Sequence, residues 1–542
     1  MSQRRITRRS LLVASAGALG SGALRPRTAL ALLGGPPSPV LAQRRLGALT
    51  STVATVALAS PADLVGVEWQ GSAQENISLR FRSRDGRWSR WVSAGTNGHG
   101  PDVHPQSDRQ VGEPIWTGGT TSVQIRAAGR VSDAKLHLVN VNGSAEAGRH
   151  GRIAAPFALT ASLPLATPEL SAGAGQPLII ARKAWARGMA PPRVAPEYGA
   201  VEMAFVHHTE NPNGYETNEV PAMLRAIYVF HRYVNGWNDI GYNFVIDLYG
   251  RVFEARAGGI DQPVVGAQAG GYNLFSTGIA VLGTFSSVPI SKAARDALEK
   301  LLAWKLSLHG APAQGRVTVK VNPAGASYSR FPANARVSLP RIAGHRDGDA
   351  TECPGNVLYG ELPAIRAGVQ RLAPNPTRAT LVLTTPAVVP ETQATPESGS
   401  AAVPGSTPPG QAQVLSGVVE LLDGTPLSSV SVQVQTRTVS HKGEIVSERT
   451  LGEATTNAAG QWELDATPLG TPGGGMWLRA LCPGGPGFGA TVSTPLHLPS
   501  ISLTAPAASP PVQPTGAAPT PPMWPPRASI LGRISALTSK TS

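Results

Sequence analysis

The chain has 542 residues, too many for a single hydrophobic core, so three or four domains are expected. Glycine (60) and proline (49) make up about a fifth of it and only 15% of the residues are charged, which favours β-rich modules joined by flexible linkers over one compact helical enzyme. The formal charge of +13 suits an anionic envelope or matrix, but no basic stripe interleaved with aromatic residues is present, so no nucleic acid is expected as a partner.

Residues 1–31 predict an export signal. A basic start is followed by an apolar run from Leu11 to Leu24 and by a small-residue site at residues 29–31. Residues 7–12 resemble the twin-arginine export motif, although a disordered basic tail is an alternative. No later segment has 18 consecutive apolar residues. We therefore expect a monomer without a transmembrane segment, exported by the twin-arginine route and secreted or held in the cell envelope.

Residues 60–142 predict an N-terminal β-sandwich. Polar and apolar residues alternate over 77–82 and over 122–126, as they do in short antiparallel strands with one face on a core. Residues 143–176 are rich in alanine, glycine and proline, which predicts a linker. Four tryptophans of the sandwich either form a carbohydrate-binding face or belong to its core and edges: Trp69, Trp88, Trp91 and Trp116.

Residues 177–373 alternate between predicted strands and helices, which indicates an α/β domain with a mixed β-sheet flanked by helices. Apolar residues at helical spacing predict a helix over residues 220–234, with Asn218 as its N-cap. A second long helix is expected from the N-cap Ser291 to about His309, which is followed by a glycine.

Residues 374–412 have a linker composition of proline, threonine, serine, alanine and glutamine, and strands are predicted again over residues 413–500. This last module resembles the transthyretin-like or carboxypeptidase-regulatory β-sandwiches. Cys482 within it is expected to be a buried apolar residue. The proline-rich tail over 501–542 is predicted to be disordered.

Three side chains of the central module could bind a metal ion. His207 ends an apolar predicted strand, and His345 and Cys353 are eight residues apart, so that one loop could deliver both. Two imidazoles and one thiolate suit Zn²⁺ and leave a fourth tetrahedral position for water. By spacing alone, a chance coincidence of these residue types remains an alternative. His208 would point to the opposite face of the strand and is not expected to be a ligand.

The central module also resembles a known family, that of the peptidoglycan-recognition proteins and type-2 N-acetylmuramoyl-L-alanine amidases. The similarity covers about 190 residues, in six blocks that follow the family's order. The blocks are residues 180–185 (IARKAW), 205–209 (FVHHT), 236–244 (GWNDIGYNF), 250–256 (GRVFEAR), 270–279 (GGYN…GI) and 344–355 (GHRDGDATECPG).

The resemblance implies that the protein hydrolyses the amide bond between N-acetylmuramic acid and L-alanine in peptidoglycan, with Zn²⁺ as cofactor. His207, His345 and Cys353 match the family's zinc ligands. Tyr242 matches the family's tyrosine near the metal, whose hydroxyl would either donate a hydrogen bond to the oxyanion or hold the attacking water. Thr351 matches a position expected to hydrogen-bond near the scissile amide. The general base is left open, because the chain has no H-E-x-x-H motif.

A non-catalytic protein of the same fold that binds or senses peptidoglycan and muropeptides is the alternative function. Tyr242 could be an ordinary strand tyrosine, Thr351 could be structural, and His231 is expected to be a packing residue. Gln268 stands where many relatives have histidine, which puts one substrate contact in doubt but not the metal.

Overall fold

A computed structural model of the protein describes most of the chain between residues 37 and 498. The predicted export signal (1–31), most of both predicted linkers and the predicted tail (501–542) lie outside the described residues. No helix in the described part of the chain is long and apolar enough to cross a membrane. The described ranges are 37–71, 77–83, 85–95, 109–144, 175–373, 376–380, 382–384, 413–440, 445–466, 476–485 and 488–498.

The first module is an antiparallel sheet of seven strands. They are β1 Val40–Leu49, β2 Ala54–Gln70, β3 Ile77–Phe81, β4 Val92–Ser93, β5 Arg109–Val111, β6 Ile115–Ala127 and β7 Val131–Asn140. The order is β1-β7-β2-β6-β3-β4, and β5 pairs with β2. In β3 the alternate residues Ile77, Leu79 and Phe81 are buried in the core, as the sequence pattern predicted.

Two expectations for this module were wrong. The sheet begins at Val40, not at residue 60, because β1 pairs with β7 from Val40 opposite Asn140 onwards. The exposed arginines in the middle of β1 interrupt the apolar alternation that would have revealed it. Hydrogen bonds also join all seven strands into one sheet instead of two. Register shifts in β2 between Ala57 and Ala62 bend this long strand, and most buried apolar residues of the module form one cluster inside the bent sheet.

The central module contains a mixed sheet of six strands and a separate hairpin. The strands in chain order are β8 Ile179–Ile180, β9 Met203–His208, β10 Phe244–Ile246, β11 Val252–Glu254, β12 Ser276–Val281, β13 Arg316–Lys320, β14 Arg336–Pro340 and β15 Ile342–Gly344. The sheet order is β15-β9-β12-β10-β11-β8, and β13 pairs only with β14. β15, β9, β12 and β10 are parallel, whereas β11 is antiparallel to β10.

Helices cover both faces of this sheet, which confirms the predicted α/β architecture. They are α1 Arg182–Trp185, α2 Val220–Val229, α3 Lys292–Leu308, α4 His345–Gly348 and α5 Asn356–Leu372. Within β10, Phe244 and Ile246 pack in the cluster that contains α3 and α5, whereas Val245 between them packs in the cluster that contains α2. Every residue of β9 is buried as a result.

The two long predicted helices begin and end close to their expected positions. Ser291 caps α3, and its Oγ accepts a hydrogen bond from the Ala294 amide at 3.0 Å, as predicted. The cap of α2 is Glu219 and not the predicted Asn218, and a proline follows in the first turn, where it costs no helical hydrogen bond. α2 continues into a π-helical turn, Phe230–Val234, which carries His231.

The C-terminal module consists of two antiparallel sheets around one apolar core. Its strands are β16 Thr377–Ala379, β17 Val382–Thr384, β18 Gln413–Leu421, β19 Ser431–Val439, β20 Ile445–Thr455, β21 Gln461–Ala466, β22 Met476–Cys482, β23 Thr491–Val492 and β24 Leu496–Leu498. Cys482 lies in the core, as expected. The predicted start at residue 413 was late, because β16 and β17 from the predicted linker pair with β18. These three-residue strands are too short for a periodic pattern. The transthyretin-like resemblance stays an expectation.

Candidate metal centre

Three side chains from separate segments meet at one edge of the central sheet. His207 lies near the carboxyl end of β9, and His345 follows β15, the parallel neighbour of β9. Cys353 lies in the loop between α4 and α5. One ligand atom from each of the three residues lies within 4.8 Å of the others. Carboxyl ends of parallel strands share a sheet edge, so the topology itself brings the two histidines together.

Gln268 orients the imidazole of His207. Its Oε1 lies 2.6 Å from His207 Nε2, and its Nε2 donates to Ser276 Oγ at 2.8 Å. Ser276 Oγ in turn donates to the carbonyl of Tyr272, so it must accept from Gln268, and the orientation of the amide is defined. Nε2 of His207 therefore carries the proton. Nδ1 keeps its lone pair and lies 3.7 Å from Cys353 Sγ.

Asp349 has the same effect on His345. Its Oδ2 lies 2.9 Å from His345 Nε2, and both side chains are fully buried. His345 begins the short helix α4, and Asp349 directly follows it. A carboxylate that accepts from Nε2 leaves Nδ1 of His345 as the nitrogen with the lone pair. Both histidines thus present the same ring atom for ligation.

Cys353 is held by the backbone of the neighbouring strand. The amide of His208 donates to its Sγ at 3.3 Å. Burial raises the pKa of the Cys353 thiol well above its ordinary value, and this hydrogen bond opposes the shift only in part. The His208 ring is outside the cluster, as the strand alternation predicted, and its Nδ1 accepts from the Phe285 amide.

This donor set fits Zn²⁺. Two imidazole nitrogens with lone pairs and one sulfur form a three-ligand set of the kind found in catalytic zinc sites. Each imidazole is also oriented through its second nitrogen, which is typical of histidines that bind metals. A cation at this position would favour the thiolate form of Cys353, which burial alone disfavours.

Tyr242 borders the cluster. Its ring centre lies 5.4 Å from that of His207, and its side chain is 1% exposed. Burial raises the pKa of the Tyr242 phenol well above its ordinary value, so the hydroxyl keeps its proton. His231 is buried, as expected, but it also supports the Tyr242 segment: its Nδ1 accepts from the Gly241 amide at 3.1 Å, and its ring lies 5.8 Å from that of Tyr242.

Thr351 shapes the loop that carries Cys353. Its Oγ1 accepts a hydrogen bond from the Cys353 amide at 3.2 Å. The side chain is half-buried. This contact gives Thr351 a structural role at the site.

The N-terminal module contacts the central module next to this centre. The Trp116 amide donates to Oδ1 of Asn211 at 2.6 Å, and Arg109 donates to the carbonyl of Val234 at 2.9 Å. The charges of Glu113 and Glu210 reach Tyr242 and Cys353 and contribute to the raised pKa values of both. Burial is the larger cause of both shifts, and charges from two modules add to it.

Sequence reasoning missed the two residues that orient the histidines. From the sequence, Gln268 is only a departure from the histidine that many relatives have at this position. The only hint in the sequence that Asp349 contacts His345 is its position four residues later. That spacing brings the two side chains together only if a helix begins at His345.

Comparison with known proteins gives matches in two modules. Residues 197–356 match the family described as N-acetylmuramoyl-L-alanine amidase, and residues 26–150 match the one described as Rv3811 N-terminal galactose-binding domain-like. Peptidoglycan-recognition protein SC2 of Drosophila simulans is 30% identical over 159 residues, which cover 29% of this chain and 71% of that protein. Peptidoglycan-recognition protein LB of Drosophila melanogaster is 29% identical over 194 residues, which cover 36% of this chain and 71% of that protein. The N-acetylmuramoyl-L-alanine amidase of Homo sapiens is 28% identical over 210 residues, which cover 38% of this chain and 31% of that protein.

The N-terminal match begins before β1 and ends after β7, which agrees with a module that starts earlier than residue 60. The amidase match contains all three side chains of the candidate metal centre, together with Tyr242 and Thr351. By these matches, the chain belongs to the family of the peptidoglycan-recognition proteins and N-acetylmuramoyl-L-alanine amidases.

Proposed function

We propose that the protein is a zinc-dependent N-acetylmuramoyl-L-alanine amidase, which separates the sugar strand of peptidoglycan from its stem peptide. The observation that carries the proposal is the convergence of His207, His345 and Cys353 within 4.8 Å, at the edge of a sheet and beside Tyr242. The human relative is named for this activity. A chain that only bound peptidoglycan would need neither an intact ligand set nor a protonated tyrosine at this place.

The residues of the site have separable roles. Bound Zn²⁺ would supply Lewis acidity, polarising the scissile carbonyl and acidifying water. Gln268 and Asp349 hold the two imidazoles with Nδ1 directed to the cluster, so little reorganisation is needed when the ion binds. The His208 amide stabilises negative charge on Cys353 Sγ.

Tyr242 donates a hydrogen bond to the oxygen on which negative charge develops. Its buried hydroxyl holds its proton at neutral pH, and a donor fixed in a site with little water stabilises a developing oxyanion more than bulk water does. Thr351 is proposed to act near the scissile amide through the loop that it shapes. The α-amine of L-alanine is the leaving group.

The substrate and location follow from the same proposal. We infer that peptidoglycan and soluble muropeptides are the partners, and that the protein acts as a monomer outside the cytoplasmic membrane. Export by the twin-arginine route would deliver it folded, with its metal site already assembled. Two measurements test the export route. N-terminal sequencing of the exported protein should show that the predicted signal, residues 1–31, has been removed, and Arg8→Lys/Arg9→Lys should abolish export.

The decisive experiment is digestion of purified cell wall by the full chain, followed by an assay for new N-terminal alanine. We expect release of the alanine amine, its loss with a chelator, and its recovery when Zn²⁺ is added back. Cys353→Ser should abolish the release, and full hydrolysis by that variant would contradict the zinc mechanism. The relatives named recognition proteins suggest the other outcome. Stoichiometric Zn²⁺ without any alanine release on any wall type would favour a binding or sensing protein.

A further inference from the structure

Two arginines and two tryptophans of the N-terminal module form a stack that the proposed hydrolysis does not use. Cζ of Arg80 lies 5.4 Å from the ring centre of Trp88 and 4.9 Å from that of Trp91. Cζ of Arg126 lies 4.4 Å from the ring centre of Trp91. We call these four residues the arginine–tryptophan patch. The other two tryptophans that the sequence singled out, Trp69 and Trp116, are buried in apolar clusters.

The pairing of β3 with β6 explains why the patch forms. Arg80 lies opposite Gln124 and Ser78 lies opposite Arg126, so the two arginines are diagonal neighbours on one face of the sheet. The residues that alternate with them, such as Leu79 and Ile125, are buried on the other face. Gln124 Oε1 accepts from Arg80 Nε at 2.7 Å and fixes the plane of that guanidinium.

The patch is accessible and positively charged. Arg126 is exposed, and Arg80, Trp88 and Trp91 are half-buried. Within the described part of the chain, no carboxylate lies within salt-bridge distance of Arg80 or Arg126, and the terminal nitrogens of Arg80 have no hydrogen-bond acceptor. Guanidinium groups lie against the tryptophan rings, so the patch offers N–H donors in place of the free aromatic faces on which a sugar would stack.

We propose that the arginine–tryptophan patch binds carboxylates of the stem peptides in peptidoglycan and so holds the polymer that the central module cuts. The proposal rests on the proposed function for the identity of the polymer. Guanidinium groups bind carboxylates through two parallel hydrogen bonds, and the tryptophans and Gln124 orient them before binding. Peptidoglycan repeats its carboxylates along each glycan chain, so two arginines on adjacent β-strands can each bind one carboxylate. Two weak contacts to the same polymer then give a higher overall affinity than either contact alone.

Binding to insoluble cell wall tests the proposal. The full chain with Cys353→Ser, which is expected not to cut, is sedimented at low ionic strength with peptidoglycan freed of phosphate-linked polymers. We expect Arg80→Gln/Arg126→Gln to bind at least fivefold more weakly. The control Arg45→Gln/Arg130→Gln removes the same charge from exposed positions of the same module and should change binding less than twofold. Trp91→Ala should also weaken binding although it removes no charge, and Trp91→Phe should restore most of it.

The source of the negative charge is tested on the wall itself. Conversion of its carboxyl groups to amides should weaken binding of the parent protein at least fivefold. Undiminished binding to the amidated wall, or by the arginine double variant, would overturn the proposal. Thermal melting shows whether each variant is folded. If the double variant melts at a lower temperature than the parent, Arg126→Gln alone is used in its place, because Arg126 is exposed.

Failure of this proposal can be told apart from failure of the proposed function. Release of alanine amine from soluble muropeptides by the chain with Cys353 intact reports on the metal centre alone. Release without arginine-dependent wall binding refutes the patch and supports the amidase. Arginine- and carboxylate-dependent wall binding without release supports the patch and refutes the amidase.

Discussion

Asp261 of the central module and Arg437 of the C-terminal module form a buried, two-point ion pair. Arg437 donates through Nη1 to Oδ1 at 2.9 Å and through Nη2 to Oδ2 at 3.0 Å. Arg479 donates to the same carboxylate, and Glu448 contacts both arginines. Burial alone would raise the pKa of Asp261, but the two guanidinium groups more than offset it and hold that pKa well below its ordinary value. A charge cluster therefore joins the two modules.

Asp261→Asn should destabilise the protein by about 3–5 kcal/mol, because it removes the buried carboxylate that two guanidinium groups share and leaves them only the carboxylate of the partly exposed Glu448. Unfolding in urea measures the change. The control is Asp296→Asn, which breaks an ion pair with Lys292 whose side chains are 47% and 87% exposed. Solvent screens that exposed pair, so its loss should destabilise the protein far less. Equal effects of the two variants would show that the buried cluster stabilises the protein no more than an exposed ion pair does.

Lys305 gives the protein a predictable dependence of stability on pH. Its side chain is 1% exposed, and Nζ donates to the carbonyls of Ile260 and Gln262 at 2.8 and 2.7 Å. Burial lowers the pKa of Lys305 to about 7 from 10.5. Between these two values the unfolded chain binds more protons than the folded one, so stability should rise as pH increases from about 7 to 10.5.

Melting temperatures at pH 6, 8 and 10 test this sign. In Lys305→Met the rise attributable to this group should vanish, although the variant also loses two hydrogen bonds and is less stable at high pH. Lys300→Met removes the same charge from an exposed position of the same helix and should keep the parent slope. Parallel slopes for all three proteins would mean that Lys305 titrates normally.

The sequence predicted the ligands better than the residues that orient them. His207, His345 and Cys353 could be named because the metal dictates residue types, and because the family resemblance fixed their places in the chain. The role of Asp349 depends on where α4 begins, and that of Gln268 on the packing of β12 beside β9. Tertiary contacts of this kind leave no periodic signal.

The same limit explains the errors at the module boundaries. β1 was missed because the exposed Arg44 and Arg45 interrupt its apolar pattern. The arginine–tryptophan patch could not be predicted, because alternation gives the face of a strand but not its partner. Only the register of β3 against β6 brings Arg80 and Arg126 together. Periodicity therefore predicts elements, whereas pairing decides which functional groups meet.

Gln268→Leu should weaken Zn²⁺ binding about 10- to 100-fold, because His207 loses the acceptor that fixes its tautomer and ring orientation. Competition with a chromophoric chelator measures the affinity. Gln43→Leu, at an exposed position of β1, is the control and should leave the affinity unchanged. An unchanged affinity in Gln268→Leu would show that the amide does not orient the ligand.

Thr351 can be assigned by comparing two substitutions. Thr351→Val removes the oxygen that accepts from the Cys353 amide, so Zn²⁺ affinity and hydrolysis should fall together if the role is structural. Thr351→Ser keeps that oxygen and should restore both. A loss of hydrolysis in Thr351→Val at unchanged Zn²⁺ affinity would instead place the hydroxyl at the scissile amide.

Tyr242→Phe separates catalysis from metal binding. The hydroxyl is not in the ligand set, so Zn²⁺ affinity should be retained, whereas the turnover number should fall about 100- to 1000-fold, as expected when one fixed oxyanion donor is removed. Tyr249→Phe removes a hydroxyl that binds the Tyr215 carbonyl outside the site and should keep full turnover. Retained turnover in Tyr242→Phe would reduce Tyr242 to a packing residue. A fall in KM without a fall in turnover would also contradict the assignment, because a transition-state donor acts on the rate of the chemical step.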